Sequence, residues 1–167
     1  MNKPVDPSVD GFTRYRIDLA YDGTDYWGFA AQKKFRTVQG ELLKALTTVF
    51  GKSKTAFDMR VAGRTDAGVH ATAQVVHIDL NERQLKRLGR TVGMMGSLND
   101  LLPEDIRIHN VTEAPAGFDA RYSAAYRRYR YTIADKLAPK NPLLARSTLW
   151  IKHELDLLNM QASALGL

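Results

Sequence analysis

No cysteine occurs among the 167 residues, which excludes disulfides, thiol nucleophiles and cysteine-ligated metal or iron–sulfur sites. Histidine is scarce. His70, His77, His109 and His153 are scattered with no i,i+4 pair, so each is expected to serve as a hydrogen-bonded or surface residue and not as a metal ligand. No apolar run approaches membrane-spanning length, and the opening MNKPVDPSVDG has no apolar signal core; the expected compartment is the cytoplasm, with no membrane partner. Also missing are G-x-x-x-x-G-K-[ST], G-x-G-x-x-G after a strand, G-x-S-x-G and H-E-x-x-H. There is no internal repeat and no low-complexity tract.

What is present is an ordinary globular composition, 44% hydrophobic and 25% charged, in a chain long enough for one domain or one domain with part of another. The net charge of +6 and pI near 9.6 suit a polyanionic partner, and suit a plain solvated basic surface equally well.

Hydrophobic periodicity orders the chain. Residues 1–12, with Pro4, Pro7 and Gly11, read as a flexible lead-in. TRYRIDLAYDG alternates, with Tyr15, Ile17, Leu19 and Tyr21 on one face, as a half-buried strand does. A loop rich in glycine and aromatics, Thr24–Arg36, leads to Thr37, which caps a helix through VQGELLKALTTVF. Strands are expected at Phe57–Ala62 and Gln74–Leu80, then a helix capped by Asn81 in ERQLKRLGRTVGMMGSLNDLL, then a strand at Ile106–Thr112. The order β-α-β-β-α-β over residues 13–113 is the ferredoxin-like α+β arrangement, an antiparallel sheet with helices on one face. Residues 114–151 extend it, with strands expected at Arg127–Ala134 and near Ser147–Ile151. Residues 152–167 begin an apolar helix, which raises the expectation that the chain is the front part of something longer.

Two segments carry chemistry. In MRVAGRTDAGVHATAQVVHIDL, small residues (Ala62, Gly63, Ala67, Gly68, Ala71) surround one carboxylate, Asp66, with Arg64 two positions before it. A tight turn with Asp66 bonded to backbone N–H groups is one reading, and on pattern alone the favoured one. The other is a carboxylate cleared for contact with substrate and kept ionised by Arg64, able to act as nucleophile or base without a metal. In RYSAAYRRYRYTI, Tyr126, Tyr129 and Tyr131 interleave with Arg127, Arg128 and Arg130. Guanidinium groups meet phosphates and tyrosine rings stack on unpaired bases; a strand with an aromatic core face and a charged outer face has the same pattern. KKFR (Lys33, Lys34, Arg36) and RQLKRLGR (Arg83, Lys86, Arg87, Arg90) add positive charge.

At these residues the chain resembles a known family. AGRTDAGVHA (Ala62–Ala71) is similar to the catalytic signature of the tRNA pseudouridine synthase A family. YDGTDYWGF, TVQGELLKAL, LNDLLPEDI, FDARYSA and RRYRYTI follow that family in order, over about Tyr15 to Leu158. The resemblance implies an isomerase that converts uridine to pseudouridine in the anticodon arm of tRNA, at uridines 38 to 40, with neither metal nor organic cofactor. It implies two ferredoxin-like halves with the cleft between them, and a homodimer spanned by each tRNA. By match, Asp66 is the nucleophile, Tyr129 stacks on the target uracil and assists removal of its C5 proton, and Arg64 helps extrude and hold the nucleotide. The carboxylate has three routes open to it: attack at C1′, addition to C6, or removal of the 2′ proton to give a glycal. Each needs a base taken out of its stack.

Two departures stand out. The family carries a second half with a basic residue that pairs with the aspartate, and residues 1–167 contain no such half, so little or no turnover is expected from them alone. Phe29 stands where many members have tryptophan. Outside this family, a non-catalytic RRM-like RNA-binding module shares the β-α-β-β-α-β order. A purely structural domain leaves the Gly63–Gly68 loop unexplained.

Overall fold

The computed structural model describes residues 11–88 and 93–165; the lead-in to residue 10 and Arg90 lie outside them. It divides into two compact units, Met1–Arg127 and Arg128–Leu167.

The first unit is built on β1 (Phe12–Tyr21), α1 (Val38–Phe50), β2 (Arg60–Val61), β3 (Ala71–Asn81), α2 (Glu82–Arg87), α3 (Met94–Asn99) and β4 (Ile106–Glu113). The four strands form one sheet in the order β2-β3-β1-β4, every pair antiparallel, which is the ferredoxin-like topology expected from the sequence. Alternation along β1 puts Ile17 and Leu19 fully inside, beside Val76 and Ile78 of β3 and Ile106 and Ile108 of β4. Helix α1 closes over them with Val38, Leu42, Ala45, Leu46 and Phe50. The Thr37 hydroxyl accepts the Gly40 N–H at its N-terminus, at 3.2 Å, a cap that stabilises a helix by about 1 kcal/mol.

The elements depart from expectation in three places. The strand expected from Phe57 begins only at Arg60, because Ala56, Phe57 and Asp58 form a turn with φ of 52°, 61° and 46°. That left-handed stretch is strained for residues with a Cβ; it coincides with the burial of Phe57 against Phe50, ring centroids 6.4 Å apart. The single helix expected after Asn81 is two short ones, α2 and α3. Asn81 does cap α2, in a reciprocal box with Gln84. The strand expected at Arg127–Ala134 is reduced to β5 (Ile133–Ala134), paired in parallel with β6 (Leu149–Trp150). A strand needs a neighbour to satisfy its backbone groups; among the described residues, 127–131 have no such strand partner, and Thr132 O accepts only the Leu149 N–H at 2.9 Å.

The second unit consists of β5, β6 and α4 (Leu157–Ala164), which is capped by Asp156. Two backbone N–H groups, of Leu155 and Leu137, hold the half-buried Asp135 carboxyl below the usual range. No helix among the described residues is long and apolar enough to cross a membrane.

The face of the main sheet away from α1 is polar, and around Arg14, His77 and Asp79 it is covered. Arg14 donates two hydrogen bonds of 2.7 Å to Asp79 across the strand pair and a third of 2.8 Å to the Phe118 carbonyl. Asp119, buried, accepts from the N–H groups of Arg121 and Tyr122 and from Arg60. His77 is fully buried and its Nδ1 accepts the Ala120 N–H at 2.9 Å, leaving Nε2 without a partner among the described residues. Residues 118–123 are thereby fastened over the sheet. A fork pair this dry holds only while both charges are present, since removing one strands the other.

Burial, helped by the Arg14 charge, pushes the His77 pKa down from 6.5 to about 4. Folding therefore disfavours its proton, and the unfolded chain takes the proton up first. Stability is unaffected above about pH 6.5 and declines as pH falls toward 4, by up to about 3 kcal/mol. Urea unfolding at pH 7 and pH 5 should show this slope, and His77→Asn, which keeps an acceptor for Ala120, should flatten it. An equal slope in both proteins would put the effect elsewhere.

Candidate active site

Between β2 and β3 the chain runs out and back through Ala62–His70, and it is fastened on both sides of Asp66. The Tyr21 hydroxyl, at the end of β1, shares a 2.7 Å hydrogen bond with Thr65 Oγ1. Gln74 Nε2 donates to the Gly63 carbonyl at 2.8 Å and to the Tyr21 oxygen at 3.3 Å. Main chain meets main chain where Phe29 N donates to Thr65 O (2.9 Å) and Gly68 N to Tyr26 O (3.1 Å). His70 Nδ1 lies 3.2 Å from the Gly23 nitrogen and 3.0 Å from an Asp22 carboxylate oxygen. Arg127 spans Ala62 O with two N–H groups and reaches Arg121 O at 3.2 Å.

This docking needs two glycines. A Cβ on Gly23 would stand 2.0 Å from the Val69 carbonyl oxygen, and one on Gly28 would stand 2.8 Å from that of Thr65. Gly28 also has φ of +90°, a region that favours glycine. The Tyr26 side of the contact is braced separately. Arg36 forks onto Asp105 at 2.8 and 3.1 Å and lies 4.2 Å above the Tyr26 ring, while the Tyr26 hydroxyl donates to Asp105. Burial opposes the Asp105 anion, but the Arg36 and Tyr26 hydrogen bonds outweigh it and hold its carboxyl below the usual range. Burial, together with Asp105, raises the Tyr26 phenol far above its ordinary pKa.

Asp66 sits in the middle of this fixed loop and is exposed. Its backbone carbonyl accepts the Val69 N–H at 3.2 Å, closing a turn. Its carboxylate makes no hydrogen bond or ion pair among the described residues, so the tight-turn reading accounts for the backbone and leaves the side chain unassigned. Arg64 is exposed too, and no ion pair joins it to Asp66. A shallow depression lined by Thr24, Asp25, Tyr26, Trp27, Ala67 and Gly68 adjoins the acid. No cluster of three His, Asp or Glu side chains suited to a metal occurs among the described residues.

Tyr129 belongs to the second unit and is 75% exposed, as are Tyr126 and Tyr131 to a similar degree. Because residues 127–132 are not a strand, the expected arrangement, with Tyr129 and Tyr131 on one face beside Arg127 and with Arg128 and Arg130 on the other, does not form. Arg127, expected on phosphate, holds the start of the loop; Arg36, from KKFR, is the brace just described. Phe29 is 1% exposed and packs 6.2 Å from Tyr21, so its departure from tryptophan is a change in the core. Sequence reasoning passed over Tyr21, Gly23, Gly28, Thr65 and Gln74. Of these only Gly28 lies in Thr24–Arg36, whose density of glycine and aromatics was its one local signal.

Comparison with known proteins gives this geometry a context. A family described as tRNA pseudouridine synthase matches residues 19–123. The tRNA pseudouridine synthase A of Leifsonia xyli subsp. xyli is 45% identical over 95% of this chain and 59% of its own length. That of Streptomyces avermitilis is 45% identical over 98% of this chain and 56% of its own. That of Mycobacterium leprae is 40% identical over 98% and 58%. The chain belongs to the tRNA pseudouridine synthase family. It spans less than three-fifths of the length of these curated relatives. The matched stretch contains the fastened loop, its glycine contacts and the segment 118–123 that covers part of the sheet.

Gly28→Ala should lower stability by about 2 kcal/mol, because unfavourable φ and a clash with Thr65 combine. Gly68→Ala, with φ of +77° but nothing within 4 Å of the new methyl, should lose only about 1 kcal/mol. Thermal melts of both variants check the difference; equal losses would mean that the Gly28–Thr65 contact yields.

Proposed function

We propose that the polypeptide carrying these residues is a cytoplasmic tRNA pseudouridine synthase, acting on the anticodon stem-loop at uridines 38 to 40 with Asp66 as nucleophile. The observation that carries this reading is an exposed carboxylate with no partner among the described residues, on a loop whose backbone is fixed from both sides. A surface aspartate in a turn normally turns its oxygens to nearby N–H groups; one held away from them is available to a ligand. Its family membership and the names of its relatives point to the same chemistry.

The reaction is an isomerisation. The N1–C1′ bond breaks, the uracil turns while still held, C5 joins C1′, and the proton leaving C5 is balanced by one gained at N1. Nothing is oxidised, reduced or transferred, so a carboxylate at a fixed position and a clamp for the detached base suffice. Attack at C1′, addition to C6 and removal of the 2′ proton all begin with an ionised Asp66 beside an everted nucleotide. Arg64, exposed on the same loop, is assigned to holding that nucleotide, and Tyr129 to stacking on its base. The homodimer implied by the resemblance belongs to the same reading, and sedimentation of the natural polypeptide checks it.

One observation speaks against the RRM-like alternative. An RRM stacks bases on the open face of its sheet. Here that face holds Arg14, His77 and Asp79 beneath residues 118–123, at 10%, 0% and 7% exposure. No base reaches these three side chains without displacing that segment, although Arg16, farther along the same face, is 42% exposed.

In the natural polypeptide, Asp66→Ala should abolish pseudouridine formation, by roughly a thousandfold or more, with tRNA affinity roughly unchanged. Formation of product by this variant would remove Asp66 from the chemistry. Tyr129→Phe should lose more turnover than affinity, because the ring stays while the hydroxyl goes; equal losses would restrict it to binding. Affinity should fall linearly on a log–log plot against salt, as phosphate contacts require.

A further inference from the structure

The loop Thr24–Arg36 ends in a feature that the proposed chemistry does not use. Trp27 and Phe35 stack on one another with ring centroids 4.4 Å apart and planes 30° from parallel, yet they are 58% and 44% exposed. Phe35 takes one face of the indole, and an indole still so exposed presents its other face to solvent. The pair is held rigidly. Trp27 N donates to Arg36 O at 2.9 Å, Gln32 Nε2 donates to Trp27 O at 2.9 Å, and Ala31 N donates to Gln39 Oε1 at 2.9 Å. Arg36, next to Phe35, is locked onto Asp105. Lys33 and Lys34 are exposed within the same loop, and Trp27 lines the depression it shares with Ala67 and Gly68, the two residues after Asp66.

We infer that the Trp27–Phe35 pair is a stacking platform for an unpaired RNA base, with Lys33 and Lys34 on the flanking phosphates. This rests on the reading of Asp66 as an RNA-modifying nucleophile and adds a second, non-catalytic contact to it. The occupant is RNA because its two chemistries match the two kinds of side chain: a flat apolar base for the indole face, an anionic backbone for the ammonium groups. Stacking on an aromatic ring is sequence-tolerant, since every base has a π-face. Fixing the rings beforehand removes the ordering cost that a mobile loop would impose on binding. The platform sets where the strand beside the everted nucleotide lies.

Fluorescence tests this directly. In the natural polypeptide with Trp150, and any tryptophan outside residues 1–167, changed to Phe, the remaining indole is Trp27, since these 167 residues hold two tryptophans. Titration with a tRNA anticodon stem-loop should quench its emission saturably. Trp27→Ala should weaken stem-loop binding about tenfold with kcat little changed, and Trp27→Phe should restore most of the affinity. Lys33→Gln with Lys34→Gln should reduce the salt slope by up to about 2. Far-UV spectra and melts of each variant establish that it folds. Unquenched Trp27 together with wild-type affinity in Trp27→Ala would overturn the platform, even where Asp66→Ala abolishes product. Quenching and weakened binding with product still made by Asp66→Ala would keep the platform and overturn the nucleophile. Dissociation of a dimer by Trp27→Ala, with affinity per protomer unchanged, would assign the pair to contact between copies and overturn the proposal.

Discussion

The candidate site depends on one contact, the docking of the Ala62–His70 loop against residues 21–29. Two backbones approach there so closely that Gly23 and Gly28 leave no room for a Cβ, and hydrogen bonds from Phe29 and Gly68 bind the two segments on either side of Asp66. A carboxylate on a free loop would sample many positions, and each would have to be surrendered on binding substrate. With the backbone fixed, only the side-chain torsions of Asp66 need settling, and the ordering has been done by folding. The exposed acid is thus a product of the packing beneath it.

That packing reaches back to both faces of the sheet. On one side Ile17, Leu19, Val76 and Ile78 close against α1, which fixes where β1 ends and so where Tyr21 presents its hydroxyl to Thr65. On the other, Arg14, Asp79, His77 and Asp119 hold residues 118–123 over the sheet, and Arg127, just beyond, grips Ala62 at the loop's root. A buried ionic network is weak evidence of stability in itself. Its service here is geometric, because charged groups tolerate few alternative partners inside a protein and the covering segment has one way to lie.

The sequence exposed the framework wherever the determining signal was local. Alternation from Tyr15 to Tyr21, the Thr37 cap and the Asn81 cap each arise within one element, and each is found in the fold. Failures came where distant residues decide. The left-handed turn at Ala56–Asp58 accompanies a Phe57 that packs on Phe50. RRYRYTI has the alternation of a strand, but a strand exists only beside a partner, and alternation cannot report one. Asp66 itself was visible as an acid in a bare loop. Its anchors were not, because Tyr21, Gly23 and Gly28 lie about 40 residues away and join it only through the β1–β3 register.

The distribution of arginine and lysine refines what a net charge of +6 means. Arg14, Arg36 and Arg60 are matched internally to Asp79, Asp105 and Asp119, and Arg127 is turned onto backbone carbonyls. A planar fork suits paired acceptors held in place, so arginine is the residue spent on architecture. Internal pairs cancel at a distance and attract no polyanion. The long-range field is therefore left to cations without a carboxylate beside them, among which Lys33 and Lys34 stand on the loop that also displays Trp27. Lysine on a flexible stem is suited to phosphates whose positions vary from one RNA to another. Counting basic residues in the sequence predicts a polyanionic partner; the pairing shows which of them already have a carboxylate beside them.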